Sequence, residues 1–410
     1  MTGHGGPAIG SAHDDRLAAM ALSRESGRTK LLPAKTAEVV PFVDLRPIHL
    51  PIVDDLVEAL LRVVSNSSFV GGKEVQHFEA GLAAYVGTDH AVGVGSGTAA
   101  LQLALQAAGI GRGAEVIVPA NTFFATVEAV VAAGAEPVLV DAVESTALMN
   151  MDAFRAAITP RTEAVIPVHL YGQPVNMDEI TVLARQHGLF VLEDAAQAIG
   201  ARWSGRAAGT WGDAAAFSFY PAKNLGALGD AGAVTTDDGD LAARISALRS
   251  HGEHQKGVHD RIGTTARIDG LQAAFLAIKL DRMSEWQEKR DRVVRRYMPG
   301  LRSIEGVALF DTDERARHVY HLLVVQVENR DAVIEGLREA GVMVGIHYPR
   351  PVHLQPAWTR SRPIEHHPVA ERLSLRILSL PLFPTMSNEQ VDRAVETLDQ
   401  VVQGKKGQLS

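Results

Sequence analysis

Lys223 sits in the run Phe217-Ser218-Phe219-Tyr220-Pro221-Ala222-Lys223-Asn224-Leu225-Gly226, with Gly229 and Gly232 close behind. Ala214–Tyr220 before it and Ala231–Thr235 after it are short runs of small, apolar or aromatic residues, which predicts two buried strands. The intervening glycines let a backbone turn sharply or come close to a ligand. An amine enclosed in such a place has its charged form disfavoured, and the neutral amine is a nucleophile. That suits Schiff-base chemistry with pyridoxal phosphate; an ordinary surface lysine in a glycine-rich turn has the same local signature.

Three further stretches fit a phosphorylated pyridine. Gly95-Ser96-Gly97-Thr98-Ala99 opens a helix directly after a strand, where free N–H groups and the positive end of the helix dipole bind phosphate. A simple N-cap at Thr98 reads equally from the same residues. Val191-Leu192-Glu193-Asp194-Ala195-Ala196-Gln197 ends a buried strand with a carboxylate, at the edge where open α/β sheets collect ligands. Asp194 can pair with a protonated pyridine nitrogen, and Gln197 can reach the ring oxygen; a helix cap is the alternative for Asp194. Phe123, after the strand end at Pro119, can stack on a ring or belong to the core.

These residues need elements to hold them. Predicted strands at Ala91–Val94, Val116–Val118, Pro137–Val140, Ala164–Val168 and Phe190–Leu192 alternate with helices at Ala99–Ala108, Thr122–Ala133, Asp152–Ala157 and Met177–His187. That alternation predicts an α/β fold with a mostly parallel sheet and helices on both faces. Helices are also predicted over Ile52–Val64 and around Phe78, Leu82 and Tyr85. A single long helix over Leu271–Tyr297 leads to a smaller unit, with strands at His321–Val327 and Gly345–Tyr348 and helices at Asp331–Ala340 and Asn388–Val401. The expected organisation is a disordered extension at 1–37, a large cofactor-binding domain at 38–280, a small C-terminal α/β domain at 281–404 and a frayed tail at 405–410.

Composition narrows the classes. With 410 residues, 46% hydrophobic and 21% charged, the chain is long enough for two domains with a large core. A formal charge of −8 argues against nucleic acid or anionic membrane as partner. Zero cysteines exclude a disulfide framework, a thiolate nucleophile and a cysteine metal site, and no metal is expected. No signal-peptide pattern is visible, so a cytoplasmic protein is expected.

Asp194, Gln197, Ser218 and Lys223, with Pro41–Leu45, Gly93–Thr98, Glu115–Pro119, Pro167–Gly172, His347-Tyr348-Pro349, His353–Pro356 and Ser379–Pro381, resemble the DegT/DnrJ/EryC1/StrS family of sugar aminotransferases. The resemblance covers roughly residues 40–400 and implies the aspartate-aminotransferase fold (fold type I) with pyridoxal 5'-phosphate as cofactor, carried as pyridoxamine 5'-phosphate between half-reactions. It implies that Lys223 binds the cofactor and moves the proton, Asp194 holds the pyridine nitrogen and Gln197 the ring oxygen. Phe123 would cover the ring, and Gly97, Thr98, Ala99 and Ser218 would hold the phosphate. It also implies a homodimer with the active site between subunits, in which Arg267 reaches the neighbour's phosphate; Thr265 departs from the Asn of many relatives. A lysine at 223 speaks against the branch of dehydratases that carry histidine there.

The substrates so implied are a nucleotide sugar and L-glutamate, with amination of a dTDP-3-keto-deoxyhexose favoured over the 4-keto isomer. Tyr220, His169, His347, Tyr348 and His353 are the candidate substrate contacts, and Arg249, His251, His254 and Lys256 form either a diphosphate-binding or a solvated loop. The alternatives are a cyclitol aminotransferase acting on a keto-inositol and a regulatory paralogue without catalysis.

Overall fold

The computed structural model describes residues 39–404 except Ser361 and Ile364; the expected extension at 1–37 and tail at 405–410 lie outside the described residues. The described residues from Val40 onward pack as one contact unit.

Seven strands form the central sheet: β1 (His90–Val94), β2 (Glu115–Pro119), β3 (Glu136–Val140), β4 (Thr162–Val165), β5 (Phe190–Asp194), β6 (Ala214–Ser218) and β7 (Gly232–Thr236). Their order is β1-β7-β6-β5-β4-β2-β3. All pairs from β3 to β6 are parallel, and β7 runs antiparallel between β6 and β1. Alternate residues of each strand feed opposite faces, as the two-residue period of a strand requires. Ala214 and Ala216 join the cluster that includes α3 (Gly97–Ala107), whereas Ala215 and Phe217 join the one that includes α1 (Val53–Ser65) and α2 (Lys73–Val86). Further helices α4 (Phe124–Ala133), α5 (Met151–Ala157), α6 (Met177–His187) and α7 (Gly239–Leu248) complete the layers.

The predicted helix over Leu271–Tyr297 is two helices, α8 (Gly270–Leu280) and α9 (Met283–Ser303). The Arg282 amide donates back to the Lys279 carbonyl, an i→i−3 bond that tightens and ends α8. A three-stranded antiparallel sheet follows, with β9 (Leu323–Val327) between β8 (Val307–Leu309) and β10 (Ile377–Leu380). β9 begins two residues later than predicted, because His321 and Leu322 turn aside to border a cavity. The strand predicted at Gly345–Tyr348 is instead irregular chain whose one backbone bridge to β10 is Gly345–Ser379. The third strand, β10, was not in the sequence expectation. α9, α10 (Arg330–Glu339) and α11 (Asn388–Val402) enclose a core around Tyr297, Leu323, Leu378 and Leu398.

Tyr297 is fully buried there and donates its hydroxyl to the Pro381 carbonyl at 3.0 Å. Tyr297→Phe keeps the ring but removes that donor from a buried carbonyl. Unfolding stability should fall by about 1–2 kcal/mol, read as a lower thermal midpoint with unchanged circular dichroism; an unchanged midpoint would mean water replaces the hydroxyl.

Candidate active site

The carboxyl ends of β1, β5 and β6 converge on one edge of the sheet, and a cavity of about 400 Å³ opens there. Ser218, at the end of β6, pairs with Gly232, which in turn pairs with Val94. A Cβ at Gly232 would meet the Ser96 backbone at 2.4 Å, and one at Gly97 would meet the Ser218 Cβ at 2.7 Å. The missing side chains therefore bring Ser218 against the first turn of α3. Gly97, Thr98 and Ser218 all border the cavity at that helix N-terminus. The N-cap is Ser96 rather than Thr98, and its hydroxyl accepts from the Ala99 amide at 3.1 Å. Ala99 does not border the cavity, which corrects its expected place in the cradle.

Asp194 ends β5 as a buried carboxylate. The Thr126 hydroxyl donates to its Oδ2 at 2.8 Å and the Ala196 amide to its Oδ1 at 3.2 Å. Burial nevertheless pushes its carboxyl pKa up; the Thr126 and Ala196 hydrogen bonds and the Lys223 charge only partly offset this. Across the same cavity, burial lowers the Lys223 amine to about 8, with the attraction of Asp194 opposing the shift. No group among the described residues hydrogen-bonds the Lys223 amine. The Gln197 Oε1 accepts from the Tyr171 amide at 2.6 Å, and its Nε2 donates to the Tyr348 hydroxyl at 3.0 Å. Phe123, 53% exposed, tilts against the Tyr348 ring with centroids 5.1 Å apart. Tyr220, 56% exposed, stands at the cavity mouth, and His347 lies on the wall with Nδ1 2.8 Å from the Ser379 hydroxyl. Burial first, then the nearby Lys223 charge, lowers His347 to about 4.

Two expected substrate contacts are elsewhere. His169 is fully buried off the cavity: its Nδ1 accepts from the Val175 amide at 3.2 Å, so its proton is on Nε2, which donates to Glu193 at 2.9 Å. His353 is likewise buried, with Nε2 3.0 Å from Glu371. Arg249 is not at a loop tip; it pairs with Glu79 at 2.5 Å and donates to the Gly93 carbonyl. Arg267 lies beside β1 through its bridge with Val94 and does not border this chain's cavity, and the Thr265 hydroxyl is taken by His251 at 2.9 Å.

Other residues entered the site unannounced. Thr126 and Tyr171 act on partners 68 and 26 positions away, which no local pattern displays. His321 borders the cavity with its Nδ1 buried and without a hydrogen-bond partner, and burial followed by the Lys223 charge holds its pKa well below the ordinary value.

The set fits a phosphorylated pyridine: a helix N-terminus with two hydroxyls for a phosphate, and a buried carboxylate short of a cation for a pyridine nitrogen. A nucleophilic amine faces both.

The family profile of the DegT/DnrJ/EryC1/StrS aminotransferases matches residues 51–399, and this chain belongs to that family. It is 46% identical over 360 residues to the erythromycin biosynthesis sensory transduction protein EryC1 of Saccharopolyspora erythraea, covering 88% of this chain and 98% of that one. It is 44% identical over 360 residues to the dTDP-3-amino-3,4,6-trideoxy-alpha-D-glucose transaminase of Streptomyces venezuelae, covering 88% and 95%. Among solved structures it resembles S. venezuelae DesV in complex with a ketimine intermediate, at TM-score 0.86 and 44% identity over 88% of this chain and 98% of that one. It also resembles Bacillus subtilis NtdA with bound pyridoxamine phosphate, at TM-score 0.83 and 32% identity over 90% and 86%. The chain is accordingly an α/β aminotransferase that works with pyridoxal 5'-phosphate. No described helix is long and apolar enough to cross a membrane.

Because the Asp194 carboxylate raises the Lys223 pKa, Asp194→Asn should move that pKa downward, below about 8. Acylation of Lys223 in the cofactor-free protein, followed by mass spectrometry across pH, reads the midpoint. A midpoint that stays put or rises would show that the two groups do not interact.

Proposed function

We propose that this member of the family transfers the amino group of L-glutamate to the keto carbon of a nucleotide-linked deoxyhexose, a dTDP-3-keto-6-deoxyhexose rather than the 4-keto isomer. The observation that carries the reading is a lysine amine lowered to about 8 facing a buried carboxylate that lacks a cation, in one cavity with a phosphate-type cradle.

Bound pyridoxal phosphate supplies an electron sink that lets the carbon bearing the amino group lose and regain a proton. Lys223 would hold the cofactor through its amine and, once the amino substrate has displaced that amine, the freed amine would move the proton at the reacting carbon, a task suited to a base near neutrality. Asp194 keeps the pyridine nitrogen protonated, and Thr126 orients the carboxylate from behind. Gln197, fixed at both ends by Tyr171 and Tyr348, takes the ring oxygen. Gly97, Thr98 and Ser218 take the phosphate, and Phe123 covers the ring face. Tyr220, His347 and Tyr348 remain on the open side to orient the acceptor.

A homodimer accompanies this reading. Leu60, Leu61, Val64, Phe69 and Val70 are exposed, and Val70 bridges to Asp269, two residues from Arg267. A second copy covering that apolar ground would bring its Arg267 toward the phosphate cradle. The name of the S. venezuelae relative, a sugar with its amino group at C3 and a dTDP handle, supports the choice of acceptor. The cyclitol alternative shares every cofactor residue. EryC1 is named for sensory transduction, which is the observation behind a regulatory reading; the complete set Lys223, Asp194 and Gln197 favours catalysis.

The test offers the protein, pyridoxal phosphate and glutamate three acceptors, dTDP-3-keto-6-deoxyglucose, its 4-keto isomer and a keto-inositol, with products read by mass and NMR. Nitrogen at C3 is expected; nitrogen at C4 would overturn the regiochemistry, and reaction of keto-inositol alone would establish the cyclitol reading. Lys223→Ala should lower turnover by roughly 10²–10⁴-fold or more with unchanged circular dichroism. A variant that still turns over normally would sink the assignment.

A further inference from the structure

We infer that Lys279 is a positioning residue for the Lys223 amine: from the last turn of α8, its ammonium ties the turn that carries Lys223 to the N-terminal segment bordering the same cavity. The inference rests on the reading of Lys223 given above.

Lys279 is 1% exposed. Its Nζ donates to the Gly226 carbonyl and to His49 Nε2, the latter at 2.8 Å, and lies 6.0 Å from the centroid of the Trp286 ring. Among the described residues no carboxylate is within ion-pair distance of it. Burial lowers its pKa to about 8, so at neutral pH it is still mainly an ammonium. An ammonium has donors only, so His49 accepts through Nε2 and carries its own proton on Nδ1. Burial and the Lys279 charge both push the His49 pKa down, which keeps that acceptor available.

The turn it grips is tight. The Lys223 amide donates to the Tyr220 carbonyl at 2.8 Å and the Ala227 amide to the Phe219 carbonyl at 2.7 Å. A Cβ at Gly226 would meet the Pro221 carbonyl oxygen at 2.2 Å, so the chain doubles back upon itself around Lys223. On its other side, the Asn224 side chain donates to the Val319 carbonyl at 3.1 Å. Gln272 takes the Leu228 amide at 2.8 Å, and Lys279 supplies the donor for the Gly226 carbonyl.

The second partner matters as much. His49 closes the short helix Arg46–His49, and a few residues earlier Phe42 and Val43 border the cavity. Phe42 stacks on His347 with centroids 5.7 Å apart and planes 17° apart. One ammonium therefore fixes the lysine turn and a cavity-wall segment to the same helix. A methionine would fill the volume without the desolvation of a buried charge. What the charge adds is direction, since both its bonds have fixed acceptors.

Lys279→Met tests this in the full-length enzyme. Turnover should fall on the order of 10- to 100-fold, as a small misplacement of a reacting group does, with KM for glutamate little changed. Independently of turnover, acylation of Lys223 in the cofactor-free protein should show its midpoint rising from about 8 toward the ordinary lysine value, as the loosened turn admits water. His49→Asn, which preserves the ammonium but alters its acceptor, should move both readouts the same way and decides the matter if Lys279→Met does not fold. A folded Lys279→Met with a lower thermal midpoint but unaltered kcat and Lys223 midpoint would overturn the tether and leave Lys279 as core filling. Normal turnover by Lys223→Ala would overturn the assignment of Lys223 itself, so the two failures are distinguishable.

Discussion

A carboxylate taken out of water must be given donors or a cation, and two consecutive carboxylates at the end of β5 meet that demand in opposite ways. Glu193 is saturated: it accepts from the Gly209, Trp211 and Gly212 amides at 2.7–2.9 Å and from His169. Asp194 receives one hydroxyl and one amide and has room for a cation. The strand period turns these neighbours to opposite sides, so a closed network anchors the end of β5 while an unfinished one faces the cavity. The anchored side gives the reactive side its rigidity.

That contrast explains the electrostatics of the site. Enclosed by protein, Asp194, Lys223, His321 and His347 all shift toward their uncharged forms, and burial is the leading cause for each. Nearby charges act second for Lys223, His321 and His347, whereas for Asp194 they follow the Thr126 and Ala196 hydrogen bonds. A cofactor carrying a cationic ring and an anionic phosphate reverses this balance on arrival, which makes its binding and the charging of the site one event.

Much of this was legible in the sequence because the chemistry stands at element ends. Asp194, Ser218 and Gly97 each follow a short apolar run, and such boundaries survive folding. Histidines were read less well. His169 lies between Val168 and Leu170 and His353 between Val352 and Leu354, and each is claimed by a carboxylate 24 or 18 residues away, a pairing that only the tertiary fold creates. His321 was hidden inside an apparent strand. Lys279 carries no local signal either, because its partner Gly226 lies 53 residues away and only the fold buries α8 against the Lys223 turn. The uninterrupted apolar periodicity across Asp281 and Arg282 concealed the break between α8 and α9.

The close approach of Gly97 to Ser218 divides the site into parts that differ in how freely they can change. Any side chain at Gly97 or Gly232 collides with backbone or with Ser218, so the end of the cavity at the start of α3 tolerates no gradual alteration. At the other end Phe123 and Tyr220 are more than half exposed and pack loosely enough to be exchanged. Substitution in this chain is thereby channelled: the glycine-walled end admits almost no new side chain, whereas the aromatic rim can be exchanged without moving backbone.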